Sequence, residues 1–230
     1  MKKSFVTIFM LGIILLLAAC GNAAENGSNA DSKKTAQDMS AGNVTKQAAP
    51  STEVKGKKAL VAYFSRTGEN YAVGNISKGN THIVADMIAE MTGADTFEIK
   101  TVNPYPENYK ECTEIAKKEL ADNARPTLAT KVENMKDYDV VFLGYPIWWS
   151  DMPMALYSFM ESYDFQGKTV IPFATSAGDV LTGKENTIPQ YAKGAKVLQG
   201  LGIEGKRAQQ NPASVRPDVQ KWLTQLGFVK

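Results

Sequence analysis

Cysteine and histidine are nearly missing from this sequence, with two of the first and one of the second in 230 residues. Cys20 belongs to an apolar N-terminal segment, so Cys112 stands alone in the rest of the chain and no intramolecular disulfide framework can form there. A single histidine, His82, cannot build a multi-histidine metal site, and no Cys/His cluster has metal-ligand spacing. An excess of either charge is lacking too. The first 55 residues hold six lysines and four acids, which leaves 20 side chains of each sign in the remainder. That balance argues against a nucleic-acid-binding protein, which carries a basic stripe. The pattern G-x-x-x-x-G-K-[ST] does not occur, which excludes the P-loop. No internal repeat is visible.

What is present divides into an address and a domain. Met1-Lys2-Lys3 gives a basic start, Phe5 to Ala19 is almost wholly apolar, and Cys20-Gly21 follows. This is the pattern of a secretory signal, and the run is short for a spanning helix, which needs about 20 apolar residues. Leu17-Ala18-Ala19-Cys20 closely resembles the lipobox of bacterial lipoproteins. The resemblance implies cleavage before Cys20, lipid on that cysteine, and a mature chain held on a membrane surface outside the cytoplasm. Residues 22–55 contain no aromatic residue and few aliphatics. Such a stretch cannot offset its ordering entropy and is expected to be a spacer without a fixed fold. The expected organisation is a signal over 1–19, a lipidated cysteine and linker over 20–55, and one domain over 56–230.

In the domain, short apolar runs alternate with helical patterns. Strands are predicted at Lys58–Phe64, Asp95–Ile99, Tyr138–Gly144, Lys168–Ala174 and Lys196–Ile203. Helices are predicted at Thr81–Met91, Glu107–Asn123, Pro153–Tyr163, more weakly at Gly183–Lys193, and through Val215, Val219, Trp222, Leu223 and Leu226. Continuous apolar strands separated by helices imply an α/β fold, with a parallel sheet covered on both faces. Five strands suit a doubly wound five-stranded sheet of order 2-1-3-4-5, in which ligands bind beyond the carboxyl ends of the strands.

That rule directs attention to the loops after strands one, three and four. Ser65-Arg66-Thr67-Gly68-Glu69-Asn70 runs on to Gly79-Asn80-Thr81, where a helix begins. Hydroxyls, amides and a helix N-terminus make a cradle for an anion such as a nucleotide phosphate; an ordinary N-cap at Asn80 or Thr81 is the plainer alternative. Pro146-Ile147-Trp148-Trp149 offers flat rings that can stack on a planar heterocycle, or simply cover the end of the sheet. Thr175-Ser176-Ala177-Gly178 combines small and hydroxylated residues that leave room for a ligand edge.

The segments AYFSRTGEN, GNTHIVADMIAEMTGAD, DYDVVFLGYPIWWSDMP and GKTVIPFATSAG resemble the flavodoxin family, over about residues 57 to 228. The resemblance implies a flavodoxin-like fold and FMN as cofactor. It places Ser65, Arg66, Thr67, Gly68, Asn80 and Thr81 around the FMN phosphate. Pro146, Ile147, Trp148 and Trp149 would flank the isoalloxazine, and Thr175, Ser176, Ala177 and Gly178 its polar edge. An insertion of roughly Glu69 to Gly79 lengthens the phosphate loop and leaves open which of Asn70, Asn75, Asn80 and Thr81 touches phosphate. Arg66 either adds charge there or faces solvent. His82 is expected in an exposed first helical turn, Cys112 as a small core-side residue, and Tyr105, Tyr109 and Tyr145 in core or rim packing. The implied function is electron transfer to redox partner proteins or a quinone-like acceptor, with no side chain named as catalytic. The alternatives are an FMN-dependent reductase that oxidises a nicotinamide nucleotide, and a binding lipoprotein without flavin.

Overall fold

Strand β1 (Ala59–Tyr63) is buried at every position, as are the first six residues of β5 (Val140–Pro146) and the first seven of β6 (Thr169–Ser176). A strand can be apolar throughout only where both faces of its sheet are covered. The computed structural model, which describes residues 56–229, shows such a sheet. The expected signal segment, lipid-carrying Cys20 and spacer lie outside the described residues. No helix among the described residues is long and apolar enough to cross a membrane.

Strand β4 (Asp95–Glu98) flanks β1, β5 lies on the other side of β1, and β6 follows, all parallel. The sheet is therefore ordered as predicted, and every carboxyl end meets the same rim. Alternation sorts the side chains. Leu60, Ala62, Val141, Leu143 and Val170 point into one core with Leu156 and Phe159 of α3 (Met154–Glu161). Val61, Tyr63, Val140, Phe142 and Ile171 point into the other, with Val84 and Ile88 of α1 (Asn80–Thr92) and Val219 and Leu223 of α6 (Pro212–Gln225). Helix α2 (Tyr109–Ala121) adds Cys112 and Ala116 to the buried set, so Cys112 is the core-side residue expected of it.

Three elements differ from the sequence prediction. The segment inserted between β1 and α1 forms an antiparallel hairpin of β2 (Gly68–Asn70) and β3 (Gly74–Ile76), whose three-residue strands are too short for a periodic signal. The predicted helix at Gly183–Lys193 is a 3-10 turn, Lys184–Thr187, leading into a single helical turn, α4 (Ile188–Tyr191). The predicted fifth strand is broken into β7 (Lys196–Val197) and β8 (Leu201–Glu204). Here β6 carries the cause. The carbonyls of Lys168 and Val170 accept the N–H groups of Lys196 and Leu198 at 2.9 and 3.0 Å. Two residues on, Pro172 faces the same side with no N–H to give. Val170 pairs with Val197 but Phe173 with Leu201, so three steps on β6 match four on the fifth strand. The extra residue is a bulge, and Gly200 fits it because a Cβ there would lie 2.6 Å from the Pro172 carbonyl oxygen. Beyond β8, α5 (Gly205–Gln210) leads into α6.

Candidate functional site

Three nitrogens of Arg66 define the first wall. Nε and Nη2 donate to the Pro106 carbonyl at 3.0 and 2.8 Å, Nη2 also to the Glu107 carbonyl at 2.6 Å, and Nη1 to the Glu69 carbonyl. Four of its five N–H donors are thereby committed to backbone carbonyls, while the residue, half-buried, still lines the cleft described below. The Glu69 carboxylate in turn accepts the Asn108 amide and the Tyr109 N–H at 3.1 and 3.0 Å. Asn70 folds the loop on itself, donating to the carbonyls of Arg66, Thr67 and Gly68 at 3.1–3.3 Å. The hairpin and the start of α2 are thus one braced unit.

Gly79 closes this loop onto α1. A Cβ at this position would lie 2.1 Å from Ser65 Oγ and 2.6 Å from the Arg66 carbonyl oxygen, so only glycine admits the contact. Ser65 Oγ accepts the His82 N–H at 3.1 Å. The N–H groups of Asn80 and Thr81, in the first turn of α1, have no protein acceptor among the described residues. Thr81 and Thr175, 1% and 3% exposed, join by their hydroxyls at 2.8 Å and fix the helix end to β6. Asn80 Oδ1 is buried and without a donor. His82 packs its ring on Tyr63 and lies 3.4 Å from Asp86, on the flank of α1.

The loop after β5 is a tight reversal. Trp148 and Asp151 exchange both backbone hydrogen bonds at 2.9 Å. Trp149 and Ser150 between them have φ of 53° and 62°. Two left-handed residues make a turn of the I′ kind, which asparagine and glycine occupy without strain; for Trp and Ser each costs about 1–2 kcal/mol. Asp151, 4% exposed, holds the turn from below. Its carboxylate accepts the Tyr157 hydroxyl at 2.6 Å and the Met152 N–H at 2.8 Å, and pairs with Lys184 at 2.8 Å. Burial pushes the Tyr157 hydroxyl far above its ordinary value, with Asp151 adding to the shift, so it stays a donor. The two tryptophans part company. Trp148 stands edge-on to Phe64 and Tyr105, with centroids 5.3 and 5.0 Å away. Trp149, 51% exposed, lies on α2 with Nε1 donating to the Thr113 carbonyl at 3.0 Å and Lys117 over its ring.

A cleft of about 500 Å³ opens between these loops, within the roughly 300–1,000 Å³ of small-molecule sites. Of the residues singled out in the sequence, Ser65, Arg66, Asn80, Thr81, Pro146, Ile147, Trp148, Thr175, Ser176 and Ala177 line it. Thr67, Gly68 and Gly178 do not, and Trp149 lines an adjoining apolar pocket of about 200 Å³ together with Cys112. Burial raises the Cys112 thiol above its ordinary value, against the opposing pull of Arg66, which leaves it a poor nucleophile. A sequence model described as flavodoxin matches residues 58–225.

The chain belongs to the flavodoxin family. Among solved structures, flavodoxin-like relatives include a candidate flavoprotein of Bacteroides uniformis ATCC 8492, 31% identical, covering 74% of this chain and 99% of its own, with a TM-score of 0.59. A second, from Bacteroides eggerthii DSM 20697, is 28% identical over 76% of this chain and 99% of its own, with a TM-score of 0.58. A flavoprotein from Lactobacillus acidophilus NCFM, solved in complex with FMN, shares the fold at 20% identity, over 67% of this chain and 97% of its own, with a TM-score of 0.51. No curated protein matches the chain.

The flavodoxin-like cleft also has a wall that the sequence reading missed. Glu204, the last residue of β8, and Gly205 and Lys206, the first of α5, line it, as do Tyr71 and Ala72 of the hairpin turn; Asn70 and Tyr109, already raised from the sequence, line it too. The signal was available: β8 ends at the same rim as the other strands, so the loop rule extends to the segment after strand five.

Proposed function

We propose that this protein binds FMN non-covalently in the rim cleft and works as an electron carrier on the outer face of a bacterial membrane. One observation carries the reading. A single cleft joins unpaired helix-end N–H groups, brought close by Gly79, to an apolar wall of Pro146, Ile147 and Trp148. A phosphate suits the first, because the helix dipole and free N–H groups favour negative charge. A flat ring suits the second. The residues present also fit the ribityl tail between them, since Asn80 Oδ1 lacks a donor that a ligand hydroxyl supplies. The FMN complex of the Lactobacillus acidophilus flavoprotein supports the choice of ligand.

When bound, the isoalloxazine supplies the redox chemistry. The chain positions it and sets its surroundings. Ser65, Asn80 and Thr81 hold the anionic tail. Trp148, packed edge-on against Phe64 and Tyr105, supplies the aromatic part of the apolar wall. The small side chains of Ser176 and Ala177 leave backbone groups accessible along the opposite side. The lipobox-like Leu17-Ala18-Ala19-Cys20 supports the anchored location, and a redox protein or quinone-like acceptor is the proposed partner.

The test is titration of the full chain with FMN, read by flavin fluorescence. Stoichiometric quenching is expected, with negligible turnover of NADH or NADPH against a quinone. A protein that stays colourless in excess FMN removes the reading, whereas rapid nicotinamide oxidation converts the carrier into a reductase.

A further inference from the structure

The donors that the α1 end offers are neutral, whereas a phosphate monoester carries a charge of about −1.5 to −2 at neutral pH. Two cations line the cleft, Arg66 and Lys206. Arg66 gives four of its five N–H donors to the carbonyls of Glu69, Pro106 and Glu107. Lys206 makes no ion pair or hydrogen bond among the described residues and is solvent-accessible. Its place beside the cradle is built. A Cβ on Gly205 would lie 2.5 Å from Asn80 Nδ2, so the missing side chain lets the backbone before Lys206 abut the start of α1. Asp179 secures the same corner, accepting the Glu204 N–H at 2.7 Å and pairing with Arg207 at 3.0 Å. Arg207 also pairs with Asp218. The charges of Asp179, Arg207 and Asp218 are therefore matched among themselves. Lys206 is left over, with Glu204 as the acid that shares its rim.

We propose that Lys206 is the cation that recognises the phosphate of the flavin nucleotide, and that it sets the preference for FMN over unphosphorylated riboflavin. This rests on the flavin reading above and adds a residue from the loop after the fifth strand to the anion site. A flexible four-carbon stem carrying a point charge suits a rotating phosphate group, where no bidentate geometry is imposed.

The experiment compares wild type, Lys206→Gln and Lys206→Arg, all as full chain, titrated separately with FMN and with riboflavin at low and high salt. Lys206→Gln is expected to weaken FMN binding about tenfold, as befits one charge-assisted contact at an accessible site. Riboflavin binding should be unchanged, so the FMN-to-riboflavin preference shrinks by the same factor. Wild type should lose FMN affinity with added salt more steeply than Lys206→Gln, and Lys206→Arg should retain most of the preference. A Lys206→Gln variant whose preference equals that of wild type overturns the proposal, as does one that loses both flavins equally. Should wild type bind neither flavin, the flavin reading fails, and inorganic phosphate followed by phosphorus NMR still decides on Lys206. Phosphate line broadening in wild type but not in Lys206→Gln then supports the cation site, and equal spectra refute it.

Discussion

The two ends of the cleft are built on opposite plans. At the end proposed for the phosphate, the loop after β1 is held by its own polar side chains, with Arg66, Glu69 and Asn70 all bonded to backbone, and main-chain N–H groups are what it offers a ligand. At the end proposed for the ring, the loop after β5 has its strain at Trp149 and Ser150 and offers a ligand a side chain, while one buried carboxylate, Asp151, clamps it from outside. A backbone cradle depends on closeness, so glycine is its sensitive residue. A side-chain wall depends on its support, so the clamp is.

The comparison is broken most easily at Gly79. Gly79→Ala places a methyl 2.1 Å from Ser65 Oγ. Pushing the loop off α1 removes charge-assisted contacts worth about 3 kcal/mol, and FMN affinity should fall roughly a hundredfold by fluorescence titration. An unchanged affinity would show that the cradle does not hold the phosphate. Asp151→Ala comes next. It leaves the buried Tyr157 hydroxyl without its acceptor and Lys184 without its partner, for a loss of about 2 kcal/mol in urea unfolding. It should also weaken FMN about tenfold as the turn relaxes. The tryptophans divide the ring end more finely. Trp148→Ala should weaken FMN by about 1–2 kcal/mol, whereas Trp149→Ala should change it less than about threefold. The reverse ranking would mean that Trp149 swings off α2 to meet the ring.

The smallest effect concerns the outer support. Arg125 stacks over Tyr157 and Tyr191 and pairs with Glu161 at 2.7 Å. The hydrogen bond from Arg125 holds the Glu161 carboxyl below its ordinary value of 4.5. A carboxyl depressed in the folded state adds stability above its unfolded value and loses it as pH falls through its folded value. Glu161→Gln should therefore cost about 0.5 kcal/mol at pH 7, as for an accessible pair. Its melting temperature should converge on that of wild type in acid, and parallel pH profiles would refute the coupling.

The buried strands were legible because burial on both faces leaves an unbroken apolar run, as in Val140-Val141-Phe142-Leu143. The cradle was legible because it sits where a strand turns into a helix. The β2–β3 hairpin was not, since Gly68-Glu69-Asn70 is polar and pairs only locally. Nor was the commitment of Arg66, which depends on carbonyls some 40 positions away. Trp148 and Trp149 look alike in sequence. Two left-handed residues in succession send them to different neighbours, and neither Trp nor Ser announces such a turn.

Pro172 deserves its place in the middle of a central strand for what it disconnects. With the ladder interrupted opposite Gly200, β8 is secured to the sheet through Phe173–Ser176 alone, apart from β7. The corner that carries Lys206 is thereby paired to β6 separately from β7, which lies at the other end of the same sheet edge. Fraying at Lys196 and Val197 need not travel to the ligand, and in hydrogen exchange the two halves of the fifth strand should open as separate units.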